Sequence, residues 1–252
     1  MPEVLDSARE KLFRAEDHLK ALGTAEKRFS DTGPYAVVPV EAKPQSLERI
    51  FCLELRKEPP PKLAALIGDA VHNIRSALDH IAYAVACRQT PTLTRNEIRN
   101  IAFPVAGRPR QFKKQLKKAH LAASEYSAFF ETVQPYKSRW PWLALISTLD
   151  NIDKHRRLTL PVAAFERLRV EPRGLTYEGS PNYGPLVHGA KVITLLFATQ
   201  PDVEVRVTGD FRVALEPIPG QAPDALPAEH TLREIIGEVT ALIYDLRSRG
   251  LR

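Results

Sequence analysis

The sequence predicts an α+β protein, a bundle of about four long helices with an antiparallel sheet appended. Apolar residues recur at steps of three and four residues over four segments, as on one face of a helix. After Leu158, apolar and polar residues alternate over short segments, as in strands with one exposed side. With 252 residues, 44% of them hydrophobic, the chain can bury a substantial core. We expect one domain over 1–252, with helical parts 3–31, 61–157 and 229–249 and β-rich parts 35–57 and 158–216.

The N-terminal part predicts a helix followed by a hairpin. The helix keeps Leu and Ala on one face and ends at Thr32-Gly33-Pro34. Two extended segments follow, Tyr35 to Val40 and Leu47 to Arg56, with Lys43-Pro44 as the turn between them.

The functional prediction depends on a helix over 62–88. Its apolar face is formed by Leu63, Ile67, Ala70, Ile74, Leu78, Ile81 and Val85. A second stripe, polar but without Lys or Glu and bordered by Arg75, comprises Asp69, His72, Asn73, Ser76, Asp79, His80 and Tyr83. A helix face that only meets water normally carries long charged side chains. We therefore expect this stripe to pair with another group.

Four shorter helices are predicted after the helix over 62–88. Thr94 and Glu97 have the spacing of a capping box, which starts a short helix. A basic helix over 110–120 and a helix over 124–134 follow, and Pro141 begins a helix that continues to Arg157.

The C-terminal half predicts strands and a closing helix. Extended segments at 159–165, 167–171, 192–198 and 203–215 form an antiparallel meander with a turn at Gly209-Asp210. A proline-rich loop over 217–227 precedes a helix over 231–248, whose apolar face is expected to be buried.

Charge and composition restrict the class of protein. The net charge is +6, and the segment from Arg88 to His120 alone carries nine Lys or Arg against Glu97. This single basic patch indicates an anionic partner. No secretory signal and no apolar run of the ~20 residues that cross a bilayer is found. The two cysteines, Cys52 and Cys87, are expected to be free thiols, in agreement with a cytoplasmic location.

Two polar clusters inside otherwise apolar helices are expected to face each other. One is the stripe from His72 to His80, and the other contains Asp150, Asp153 and His155. Asp153 shares the apolar side of its helix and therefore needs a partner, for which Arg157, Arg75, His72 and His80 are candidates. One interpretation of the facing clusters is a buried ion-pair network that fixes how the helices align.

Arg75 and His80 have the Arg-x4-His spacing of HEPN domains, and the helix around them resembles that family. The resemblance implies a metal-independent endoribonuclease, active as a dimer, of the toxin or defence type. It implies that Arg75 binds the phosphate and that His80 is the general acid or base. The supporting polar network would be His72, Asn73, Ser76, Asp79, Asp150, Asp153 and His155. Bases expected to hold the RNA backbone are Arg108, Arg110, Lys113, Lys114, Lys117 and Lys118.

Other interpretations of the same residues stay open. The segments 72–80 and 153–156 are also similar to those of an uncharacterised bacterial family, which implies no activity. A metal site could use Asp69, His72, Asp79, Asp150 and His155, but bundle sites repeat a carboxylate-histidine pair that the second helix lacks. We therefore expect no metal and no cofactor. The alternative to an enzyme is a non-catalytic binding or structural protein.

Overall fold

The computed structural model confirms the α+β class. It describes residues 5–40, 46–90, 92–122, 125–138, 141–155, 158, 164–184, 186–215 and 226–251. The helices are α1 (Asp6–Ser30), α2 (Pro61–Gln89), α3 (Arg95–Asn100), α4 (Pro109–Lys118), α5 (Ser127–Thr132), α6 (Trp142–His155) and α7 (Ala228–Ser248). The strands are β1 (Tyr35–Pro39), β2 (Glu48–Leu55), β3 (Ala164–Glu171), β4 (Tyr177–Pro181), β5 (Lys191–Phe197), β6 (Arg206–Arg212), β7 (Ala214–Leu215) and β8 (Leu226–Pro227).

The chain packs as two compact units. The first comprises Met1–Ala21, Ala65–Leu158 and Thr231–Arg252, and the second comprises Leu22–Ala64 and Thr159–His230. The polar stripe of α2, the cluster of α6 and the basic segment all belong to the first unit. No helix in the described ranges is both long enough and apolar enough to span a membrane.

The helical periodicity predicted the buried faces of α2 and α7 correctly. All seven residues of the apolar face of α2 are at most 1% exposed, and the apolar face of α7 is likewise buried. The capping box of α3 is confirmed, because the side chain of Thr94 accepts from the N–H of Glu97 and the side chain of Glu97 accepts from the N–H of Thr94. Among the helices predicted to be long, α1, α2 and α7 have 25, 29 and 21 residues, whereas α6 has 14.

The second unit contains an antiparallel sheet with the order β1-β2-β5-β4 and two strand pairs, β3-β6 and β7-β8. The predicted hairpin is confirmed, since β1 pairs with β2 from Tyr35 opposite Leu55 to Pro39 opposite Phe51. The inner side chains of β2, β5 and β6 form the core of this unit. Both cysteines are free thiols.

Two predictions about the strands are wrong. The later strands do not form a simple meander, because β5 pairs with β2 of the hairpin and with β4, a strand that the sequence pattern did not indicate. Gly209-Asp210 is not a turn but part of β6, where Gly209 pairs with Leu168. A Cβ at Gly209 would lie 2.9 Å from the ring of Phe211. The glycine therefore makes room for an aromatic side chain instead of reversing the chain.

Several predicted features fall outside the described residues. They are the turn at Lys43-Pro44, the start of the predicted strand at 159–163, most of the proline-rich loop, and Arg157.

Candidate functional site

The polar clusters of α2 and α6 are in contact. His72 Nδ1 lies 3.2 Å from Asp150 Oδ1, and the side chain of Asp150 is only 6% exposed. Lys154, one turn further along α6, donates to the second oxygen of the same carboxylate. A buried carboxylate needs such donors, because burying its charge without them is very costly. Asp150 thus joins α6 to α2 through His72 and pairs with Lys154 within α6, and both partners are about half exposed.

Asp153 lies against a glycine of the facing helix. A Cβ at Gly68 of α2 would be 2.7 Å from Asp153 Oδ2, so the missing side chain makes room for the carboxylate. Burial, followed by the nearby carboxylates of Asp69 and Asp150, raises the pKa of Asp153, and His72 acts in the opposite direction. Of the partners expected for Asp153, the structure therefore places His72 in its surroundings.

Arg75 binds a segment that follows α3. Its Nη2 donates to Asp79 Oδ1 at 2.8 Å and to the carbonyl of Phe103 at 3.0 Å. Asp79 Oδ1 also accepts the N–H of Phe103 at 2.8 Å. Burial raises the pKa of Asp79, although Arg75 and the N–H of Phe103 favour its charged form. The Arg75–Asp79 pair thus holds both backbone groups of Phe103.

A cavity of about 260 Å³ lies beside Arg75. Its wall includes the segment 102–105 together with Arg75, Asn100, Gln115, Lys118 and Ser147. Two buried atoms in this wall have no hydrogen-bond partner in the part of the chain that the structure describes, namely Arg75 Nη1 and Gln115 Oε1. A buried polar group without a partner costs about 1–3 kcal/mol. The wall of the cavity therefore includes two residues that each carry a buried atom without a partner in the described ranges, a donor in Arg75 and an acceptor in Gln115.

Gln134 holds the wall of the cavity from behind. Its side chain is fully buried. The amide Nε2 donates to the carbonyl of Pro104 at 2.9 Å, and Oε1 accepts the N–H of Ala106 at 2.9 Å. The sequence reasoning missed both Gln134 and Gln115. For Gln134 a signal existed, because it follows Phe130 by four residues and so lies on the apolar side of the helix predicted over 124–134.

His80 lies on another side of α2 from Arg75. Residues five apart on a helix are rotated by about 140° around its axis. Burial, and after it Lys11 of α1, lowers the pKa of His80, whereas Asp79 acts to raise it. The two motif residues are therefore linked through Asp79, which binds Arg75 directly and acts on His80 through its charge.

The basic segment from Arg108 to Lys118, which contains α4, presents its charges outward. Phe112 and Leu116 of α4 are buried, at 3% and 5% exposed. The six bases predicted to bind a polyanion, Arg108, Arg110, Lys113, Lys114, Lys117 and Lys118, are all exposed. Lys118 also borders the cavity. These six exposed bases, the basic face of α4, therefore lie next to the cavity.

The remaining residues of the predicted network have separate positions. Asn73 Nδ2 donates to the carbonyl of Asp69 at 2.8 Å, within α2. Ser76 is half-buried, and His155 is exposed at the last residue of α6. On the other flank of the stripe, His18 Nδ1 of α1 lies 3.8 Å from Asp69 Oδ2.

In the described ranges no group of three or more His, Cys, Asp or Glu is arranged to hold a metal ion. Comparisons of the chain with protein-family models, with curated proteins and with solved structures give no match.

Proposed function

We propose that the protein binds RNA at the Arg75 cavity and along the basic face of α4, and that it cleaves RNA phosphodiesters without a metal ion. The observation that carries the proposal is Arg75 Nη1, a buried cationic donor without a partner in the described ranges, in the wall of a cavity that Lys118 also borders. A phosphate oxygen is, like a carboxylate oxygen, an acceptor that a guanidinium binds strongly.

The basic face supports the same substrate class. Six exposed bases without an acid among them attract a phosphate backbone regardless of its sequence. This attraction increases the local concentration of RNA beside the cavity and needs no base-specific contact.

The chemistry follows from the roles that the HEPN resemblance assigns. Because His80 lies on another side of α2 from Arg75, the base in this proposal is the His80 of a second copy in the homodimer, which accepts the proton of a ribose 2′-hydroxyl. The 2′ oxygen then bonds to phosphorus, the bond to the 5′ oxygen breaks, and this oxygen takes a proton from water. Arg75 stabilises the charge that develops on the phosphate. Action as a homodimer, a cytoplasmic location and a toxin or defence role belong to the same proposal.

The test is cleavage of an end-labelled single-stranded RNA in EDTA. We expect the wild-type protein to cleave it, and both His80→Ala and Arg75→Lys to lose at least about a hundredfold in rate. His188→Ala is the matched control, because this exposed histidine lies in the second unit. Circular dichroism verifies the fold of each variant. Unchanged cleavage by His80→Ala would contradict the assignment of the site.

The second candidate is a non-catalytic binding protein, and the burial of Asp150 between His72 and Lys154 favours it. In this case the polar network serves to align α2 with α6. RNA binding without any EDTA-resistant cleavage by the wild-type protein would support this candidate over the first.

A further inference from the structure

The cavity beside Arg75 combines two unsatisfied atoms of opposite kind. Arg75 Nη1 can only donate a hydrogen bond, and Gln115 Oε1 can only accept one. We infer that the cavity takes a ribose 3′-phosphate unit and that Gln115 recognises the 2′-hydroxyl of this ribose in the bound state, before His80 takes its proton. The inference rests on the proposed RNA binding, and it adds which part of the nucleotide the cavity recognises.

The orientation of the Gln115 amide is fixed by the chain itself. Its Nε2 donates to the carbonyl of Val105 at 2.8 Å. This bond assigns the amide nitrogen to the protein and leaves the oxygen for a donor from outside. A hydroxyl group is such a donor, whereas an ionised phosphate offers only acceptors. Phosphate alone would therefore satisfy Arg75 and leave Gln115 unsatisfied.

The 2′-hydroxyl of RNA is next to the 3′-phosphate on the same sugar, so one ligand can offer the acceptor and the donor together. DNA lacks this hydroxyl, which is the group that lets proteins distinguish the two nucleic acids. Both atoms are shielded from water in the wall. Binding therefore requires the two side chains to shift until these atoms reach the ligand, and Gln115 Nε2 keeps its bond to the carbonyl of Val105 as the amide shifts.

The size of the cavity agrees with a part of a nucleotide. Its volume of about 260 Å³ is slightly below the roughly 300–1,000 Å³ of pockets that enclose a drug-sized ligand. A sugar and its phosphate fit this space while the base stays outside. Lys118 and Asn100 are exposed residues of the wall, and Lys118 places a second cation near the phosphate. We therefore expect little preference among bases.

The experiment is calorimetric titration with adenosine 3′-monophosphate and with 2′-deoxyadenosine 3′-monophosphate, neither of which contains a phosphodiester to cleave. We expect the wild-type protein to bind the ribose form about tenfold more tightly. Gln115→Met should reduce its affinity to that for the deoxyribose form. Arg75→Lys should weaken both by a similar factor and keep the preference.

Gln111→Met is the matched control, because Gln111 is an exposed glutamine of the same helix that accepts the N–H of Gly107. Gln111→Met should leave the dissociation constants of both nucleotides unchanged. Equal binding of the two nucleotides by the wild-type protein, or a preference that Gln115→Met retains, would overturn the inference. If Gln115→Met does not fold, 2′-O-methyladenosine 3′-monophosphate decides, since its methyl ether cannot donate. Binding as tight as that of the ribose form would also overturn it.

The failure of this inference differs from a failure of the proposed function. If the wild-type protein binds neither nucleotide, the ribose 3′-phosphate site is overturned, while the cleavage assay in EDTA still decides whether the protein is a ribonuclease. Absence of RNA binding and cleavage would overturn the proposed function itself.

Discussion

Gly68 of α2 and Asp153 of α6 fit together at a point where a side chain on α2 would collide with the carboxylate. All three atoms of the carboxylate lie too close to the position that a Cβ would take, with Asp153 Oδ2 2.7 Å from it. Glycine in the middle of a helix costs about 1 kcal/mol relative to alanine. The contact with Asp153 therefore explains why α2 carries a residue that is otherwise unfavourable.

We expect Gly68→Ala to lower the free energy of unfolding by about 1 kcal/mol, because displacing Asp153 outweighs the gain in helix propensity. In an Asp153→Ala background the same substitution should raise it by about 0.5–1 kcal/mol. Gly237→Ala in α7 is the control, since no atom lies within 4 Å of its added Cβ. Urea denaturation measures all variants, and the same sign in both backgrounds would contradict the contact.

Asp153 should also make the stability depend on pH. Its pKa is raised in the folded protein, so the folded state binds the proton more tightly than the unfolded state does. Stability is then highest below the unfolded pKa and is lost as the pH rises toward the folded one. We expect Asp153→Asn to be more stable than wild type at pH 7 and to match it near pH 3. A difference that does not change with pH would exclude this cause.

The two partners of Asp150 should compensate for each other. His72 and Lys154 are 54% and 52% exposed, so either can be lost while the other still pairs with the buried carboxylate. We expect His72→Ala and Lys154→Ala each to cost less than about 1 kcal/mol. The double variant should exceed their sum by about 1 kcal/mol. Adding Asp150→Asn to the double variant should reverse this extra loss of stability, because the buried charge is then gone. Urea denaturation measures each free energy of unfolding, and losses that simply add in the double variant would contradict the network.

Lys11 should contribute to the lowered pKa of His80. Its charge is the second cause, after burial, that lowers the pKa of His80. We therefore expect Lys11→Gln to raise this pKa, as measured by NMR titration of the imidazole signals. Lys20→Gln is the control, because Lys20 of the same helix pairs with Asp17 instead. An unchanged titration in Lys11→Gln would show that the two groups do not interact.

Lys117 and Lys118 should differ in what they bind, although both are exposed on α4. Only Lys118 borders the cavity. We expect Lys118→Ala to weaken both RNA and adenosine 3′-monophosphate, and Lys117→Ala to weaken RNA alone. For each variant the slope of log Kd against log salt should fall by about 0.7 for single-stranded RNA. Fluorescence anisotropy and calorimetry measure the two ligands, and equal effects on the nucleotide would contradict the placement of Lys118.

The helices could be predicted because their signals are local. The apolar face of α2 and the capping box of α3 need only the spacing of residues within one element. The prediction of a turn at Gly209 is wrong because a glycine signals a turn as readily as close packing, and only the position of the Phe211 ring distinguishes the two. The pairing of β2 with β5 joins segments more than a hundred residues apart, which no local pattern specifies.

The candidate site was predictable only in part for the same reason. The contact between His72 and Asp150 follows from polar residues inside two apolar helices, which is visible in the sequence. The cavity depends on an irregular segment and on Gln115. No local pattern in the sequence indicates that the amide of Gln115 binds the carbonyl of Val105.

The irregular segment from Phe103 to Ala106 behaves like core although it has no regular secondary structure. Its backbone groups are bound in succession by side chains of Asp79, Arg75, Gln134 and Gln115. Ordinary loops tolerate insertions because little depends on their length. Here one added residue would move each backbone group past its side-chain partner, so this stretch should accept no change in length, and the amide hydrogens of Phe103 and Ala106 should exchange as slowly as those of a helix.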